Sequence, residues 1–142
     1  MNNALLLDTH IALWLDEAHE RLRPPTAALI EACRRDGGVI FFSAVSVWEI
    51  ALLLDTNRLT LNTPLDDWVD QFIRNAGIEM LPLDHRAASR AYDLSDLPYR
   101  DPADRFLIAT AIGQGCPLVT YDARILQFAN RHGRRYGFTA VS

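Results

Sequence analysis

Lysine is missing altogether, so every one of the fourteen basic side chains in this 142-residue sequence is an arginine. That absence removes the strand-end lysine that a response-regulator phosphoacceptor requires. Cysteine is scarce: Cys33 and Cys116 stand 83 positions apart and outside any CxxC. A disulfide framework or thiolate zinc site is therefore not expected, and free thiols in a reducing compartment are. No apolar run reaches the roughly 18 residues of a membrane span. Met1-Asn2-Asn3 shows neither the basic region nor the cleavage site of a secretory leader. A cytoplasmic protein without a membrane partner is the expectation. His10, His19, His85 and His132 form no HxxxH or other zinc-spaced pair. No Gly-x-Ser-x-Gly elbow occurs, and Gly37-Gly38 precedes an apolar run where a phosphate loop would follow one.

What is present describes a folded globular chain, 49% apolar and 23% charged. Its length suits one domain over residues 1–142. Eighteen acidic against fourteen basic residues leave a net charge of −4. That mild acidity argues against a general electrostatic coat for nucleic acid and makes the placement of the charges decisive.

Apolar runs and turn signals alternate along the chain. Residues 4–7, all apolar and ending at Asp8, read as a strand buried on both faces. Runs 39–42, 78–81 and 117–120 come next as strands, and 136–141 as a fifth, weaker one. Between them the pattern predicts helices over 10–16, 26–35 after Pro24-Pro25, 44–56 capped by Ser43, and 65–76 closed by Gly77. Asp84 caps a helix running to about Leu94. Asp101-Pro102 opens one ending near Gly113, and a last one covers 123–130. Such alternation implies an α/β fold with a central parallel sheet of four to five strands, covered on both faces by helices.

Ligand sites in open parallel sheets lie beyond the carboxyl ends of the strands. Asp8 ends the first strand. Ser43 comes after the second, with Glu49 six residues into the next helix. Asp122 lies two residues beyond Thr120, and Asp101 and Asp104 open the helix leading to that strand. Convergent carboxylates repel, and a hard divalent cation such as Mg²⁺ or Mn²⁺ relieves the conflict. Each acid also has a plainer reading: Asp8, Asp101 and Asp122 are good helix caps, and Asp104 suits a helix dipole. Glu49 sits in a helix apolar nearly all round, where a carboxylate needs a partner; a distant arginine is the plain alternative.

Taken together, Leu5-Leu6-Leu7-Asp8-Thr9, Ser43-Ala44-Val45-Ser46-Val47-Trp48-Glu49-Ile50, Arg100-Asp101-Pro102-Ala103-Asp104-Arg105 and Leu118-Val119-Thr120-Tyr121-Asp122 resemble the successive motifs of PIN-domain proteins, and most of all those of VapC-type toxins. The segment Asn57-Arg58-Leu59-Thr60-Leu61 resembles the stretch just past the acidic helix of those toxins. The resemblance implies a three-layer α/β/α fold and Mg²⁺- or Mn²⁺-dependent endoribonuclease activity. It also implies a cognate VapB-type antitoxin and a homodimer. Carried over by position, the acidic quartet falls on Asp8, Glu49, Asp104 and Asp122, whose summed charge equals the net −4 of the chain. Asp101 matches an extra acid, and Thr9 and Thr120 match small hydroxyl residues; Thr120 is placed to orient Asp122 or to form a turn. Many relatives carry histidine where this chain has Tyr99.

Arg100 and Arg105 flank the third motif and are candidates for holding an RNA phosphate. The run Arg131-His132-Gly133-Arg134-Arg135 reads as a solvated terminus or as a phosphate-contacting patch. The apolar helices around Trp14 and Trp48 are core, with a dimer seam or antitoxin groove as the alternative. Two other functions remain open from residues alone. A non-catalytic RNA- or protein-binding module would not need the full quartet. A haloacid-dehalogenase-like phosphohydrolase needs a second Asp where His10 stands.

Overall fold

The computed structural model of the chain describes residues 3–142. In chain order the elements are β1 (Ala4–Leu7), α1 (Thr9–Glu17), α2 (Pro24–Arg35), β2 (Val39–Ser43), α3 (Ala44–Asp55), α4 (Leu65–Ala76), β3 (Ile78–Leu81), α5 (His85–Arg90), α6 (Pro102–Gln114), β4 (Leu118–Val119), α7 (Ala123–Tyr136) and β5 (Ala140–Val141). The strands form one sheet in the order β3-β2-β1-β4-β5, every neighbouring pair parallel.

β1 lies in the middle, which explains its unbroken apolar sequence. Leu5 and Leu7 point into a core layer with Ile40, Phe42, Ile11, Ile30 and Phe72. Ala4 and Leu6 point the other way, against Leu107, Ile108, Leu118, Ile125 and Phe128. Alternation along the strand thus feeds both faces, and α1, α2 and α4 cover one while α6 and α7 cover the other. Burying each such leucine side chain contributes roughly 1.5–3 kcal/mol.

Three local expectations are corrected. The helix begun by Asp84 ends at Arg90, not near Leu94. Past Arg90 the backbone tightens into i→i−3 turns, Tyr92 N–H to the Ser89 carbonyl and Asp93 N–H to that of Arg90; the carbonyls of Ala91 and Leu94 accept from the Arg105 guanidinium. The last helix runs on to Tyr136, and the final strand keeps only two residues. Gly133 sits inside that helix because a Cβ there would lie 2.4 Å from the Phe138 carbonyl oxygen; the true stop is Gly137, with φ 67°. Helix α3 is apolar nearly all round yet not buried all round, since Trp48 and Leu52 are 51% and 42% exposed.

Candidate active site

All the strands are parallel, so their carboxyl ends share one edge; β1, β2, β3 and β4 each lead there into a helix, and α6, which follows α5, starts beside them. The residues that cap those helices are therefore brought together. Asp8 caps α1, Asp101 caps α6 and Asp122 caps α7. With Glu49 of α3 and Asp104 of α6 they line one open cavity of about 450 Å³.

Each acid is held by a neighbour. Asp8 Oδ1 accepts the Thr9 N–H at 2.8 Å, and its Oδ2 accepts the Thr120 hydroxyl at 2.7 Å. Thr9 donates its own hydroxyl to Glu49 Oε1 and lies 2.9 Å from Ser46 Oγ. Asp122 Oδ1 accepts the N–H groups of Arg124 and Ile125, at 2.8 and 3.3 Å. Thr120 accordingly orients Asp8 rather than the Asp122 carboxylate; toward Asp122 it accepts only the backbone N–H, at 3.0 Å.

Electrostatically the cavity is strained by its own charge. Burial pushes the Asp104 carboxyl up to about 7, and the negative charges of Asp101, Asp8 and Asp122 add to the effect. Asp8 is raised chiefly by burial, against the pull of its hydrogen bonds to Thr120 and Thr9. Glu49 is raised by burial and by Asp8 and Asp101, against its Thr9 bond. One cation answers this charge: Arg124 Nη2 stands 3.3 Å from Asp122 Oδ2 and 3.7 Å from Asp104 Oδ2. Among the described residues no three acidic, histidine or cysteine side chains close on a single point as a finished metal cage. The donor set is nonetheless all carboxylate oxygen, and its raised pKa values mark a cluster short of positive charge, which is what a hard divalent cation fits.

Tyr99 stands at the same wall. Its ring carries the Arg124 guanidinium at 4.0 Å, and its hydroxyl is buried without a well-formed hydrogen bond. The phenol lies close enough to Asp104 to draw that carboxyl's pKa down somewhat, while burial and the acid raise its own.

The two arginines expected at an RNA phosphate are placed otherwise. Arg105 is buried, and its guanidinium donates to the carbonyls of Tyr99, Ala91, Leu94 and Leu97 at 2.9–3.4 Å. It is a clamp on the loop before α6, with four of its five N–H groups engaged and the side chain buried away from any phosphate. Arg100 is exposed, outside the lining of the cavity, with its guanidinium 5.5 Å from the Tyr92 ring centre. The basic run ending in Arg135 lies at the far end of α7, about 20 Å along the helix from Asp122. There Arg135 pairs with Asp96 at 2.6 Å. Two residues of the site, Ser46 and Arg124, escape the sequence reading as functional side chains. Ser46 lies three residues before Glu49, hence on the same helix face, and Arg124 is in the first turn after Asp122.

Four acids from widely separated segments therefore reach one cavity in the order that the sequence motifs imply, and the sequence profile of the PIN domain matches residues 5–131. The chain belongs to the PIN-domain family. Within the family it is 32% identical over 130 residues to ribonuclease VapC22 of Mycobacterium tuberculosis, a match covering 92% of this chain and 94% of that protein. Among solved structures, a chain of VapBC2 from Rickettsia felis, bound to a DNA fragment of its promoter, superposes with a TM-score of 0.65. The identity there is 14%, and 97% of each chain is covered. FitAcB of Neisseria gonorrhoeae superposes with a TM-score of 0.54 at 20% identity, covering 97% of this chain and 96% of its own. At these identities the two structures speak for a shared PIN fold. Among the described residues no helix is long and apolar enough to cross a membrane.

Proposed function

We propose that this PIN-domain protein is an endoribonuclease, the toxin of a type II toxin–antitoxin pair, that hydrolyses RNA phosphodiester bonds. The observation that carries the reading is the convergence of Asp8, Glu49, Asp104 and Asp122 on one cavity, with Asp104 pushed up to about 7. The 32% identity to a protein named a ribonuclease supports it. These four carboxylates would hold Mg²⁺ or Mn²⁺. When bound, such a cation lets the acids ionise together and supplies positive charge to a phosphodiester. Thr120 and the Thr9 N–H fix both oxygens of Asp8, and the Thr9 hydroxyl fixes Glu49, so these donors hold their orientation before substrate arrives. Arg124, spanning Asp104 and Asp122, keeps positive charge beside the place an RNA phosphate must occupy.

The partners that go with this reading are a VapB-type antitoxin and a second copy of the chain. The toxin–antitoxin complexes among the structural relatives support the first. The second is supported by exposed Trp48 and Leu52 on α3 beside an apolar groove floored by Val45, Leu83 and Phe106. The two cysteines are free and buried, in keeping with a reducing cytoplasm. The test is incubation of the purified protein with total RNA, with Mg²⁺ and with EDTA, followed by end mapping. Cleavage should need the metal, and Asp8→Asn or Asp104→Asn should abolish it while leaving the circular dichroism spectrum intact. Undiminished cleavage by either variant would sink the assignment. Absence of both cleavage and Mn²⁺ binding would leave a binding-only PIN module.

A further inference from the structure

The cavity that collects the acids has a second wall of different chemistry, built from His10, Trp14 and Tyr121 with Arg21 at its rim. The rings touch in series. His10 and Trp14 lie 5.7 Å apart between centroids, and Trp14 and Tyr121 5.8 Å. Trp14 also stacks on His19 at 6.2 Å. His10 is exposed, and Trp14 and Tyr121 are only half-buried, so this cluster fronts the cavity while its back packs against the core layer. It is also held still. The Tyr121 hydroxyl donates to Thr26 Oγ1 at 2.6 Å and accepts the Arg23 N–H at 2.9 Å, and the Arg23 guanidinium covers its ring at 4.1 Å. His19 Nδ1 accepts the Arg21 N–H at 3.0 Å, fixing the loop that presents Arg21.

We propose that His10, Trp14 and Tyr121 form a nucleobase-stacking subsite that seats one unpaired base of the RNA substrate, with Arg21 on a neighbouring phosphate. The inference rests on the ribonuclease reading and deepens it by naming the side chains that receive a base. The physical argument is the pairing of walls. Acids alone would repel the polyanion they are meant to cut, and they carry no means of holding a nucleoside in place. Unstacked bases bind aromatic faces whatever their sequence, and arginine adds charge attraction to the backbone. A cavity of about 450 Å³ lies within the roughly 300–1,000 Å³ of ordinary ligand sites. A base against Trp14 would place its phosphate within the same enclosure as Asp8 and Asp104. A peptide segment of an antitoxin is the competing occupant. Its occupancy of the same wall is one outcome of the test.

The experiment uses the full chain with Mg²⁺ and a labelled single-stranded oligoribonucleotide spanning the mapped cleavage site. Abasic nucleotides are introduced one position at a time. On the intact oligonucleotide His10→Ala and Trp14→Leu should each raise KM about tenfold, with kcat changed far less, while Trp14→Phe keeps most of the affinity. One abasic position should cost the wild-type chain a similar factor and cost His10→Ala and Trp14→Leu almost nothing further, the signature of coupled partners. Wild-type cleavage with no such coupled position overturns the subsite and leaves the wall to an antitoxin segment. A wild-type chain that cuts no RNA under any condition overturns the ribonuclease reading and the subsite together.

Discussion

At Asp104, burial and three neighbouring carboxylates act in the same direction, and the result is a side chain that titrates near neutrality. Proton counting gives the sign for stability. A carboxyl at about 7 in the folded chain, against an ordinary value of 3.8, holds its proton through that window while the unfolded chain has lost it. Metal-free protein should therefore be most stable at the acid side of the window and lose stability as pH rises from about 4 to 7. Asp8 and Glu49, raised for the same reason, steepen the trend. Thermal melts in EDTA at pH 5 and pH 8 should show the lower Tm at pH 8. Asp104→Asn should remove much of the difference, and Mn²⁺ should restore Tm at pH 8 far more than at pH 5, since the cation replaces the missing protons. A flat or rising Tm across that range in EDTA would contradict the charge crowding described for the cavity.

On the scale of single elements, the informative pieces are the helix starts. Asp8, Asp101 and Asp122 do what short polar residues do before helices, and in a parallel sheet a cap at the carboxyl edge is also a residue of the site. The plain reading and the functional one are therefore not rivals. That is why the parallel sheet and the positions of Asp8 and Asp122 are legible from strand ends, and those of Asp101 and Asp104 from a helix start. What is not legible depends on contacts made across the fold. Arg105 looks in the sequence like a phosphate-binding residue beside two acids, yet it turns inward to bind four carbonyls. The same contact holds the turns that follow α5, and nothing local to residues 84–94 announces it. Gly133 lies beyond the expected end of the last helix at residue 130, and only the approach of the Phe138 carbonyl explains a glycine in what is a helix interior. Ring contacts between α1 and Tyr121 likewise join residues more than a hundred positions apart. The test at this scale is Arg105→Met. Four buried carbonyls lose their donor, so urea denaturation should show a loss of about 3 kcal/mol, whereas RNA affinity measured well below the transition should hardly change. Loss of affinity with unchanged stability would return Arg105 to the phosphate.

For the molecule as a whole, charge and surface divide the work between two regions. The acid-lined cavity sits at the carboxyl edge of the sheet, and the exposed indole of Trp48 with Leu52 marks an apolar face on α3. The proposed homodimer uses that face, so Trp48→Glu should convert the dimer to a monomer in analytical ultracentrifugation while Tm stays within a few degrees. A dimer that survives this change would have its seam elsewhere. The placement of β1 at the centre of the sheet has a temporal side. Its first edge is filled by β2, but its second waits for β4, where Leu6 pairs with Leu118, 112 positions later. At roughly 5–20 residues per second of synthesis, several seconds separate the making of the first strand from the arrival of its last neighbour. Asp122 comes later still. A growing polypeptide thus carries no assembled cavity until the segment holding β4 and Asp122 has been added, so the complete set of acids exists only once that late segment has folded onto the first strand.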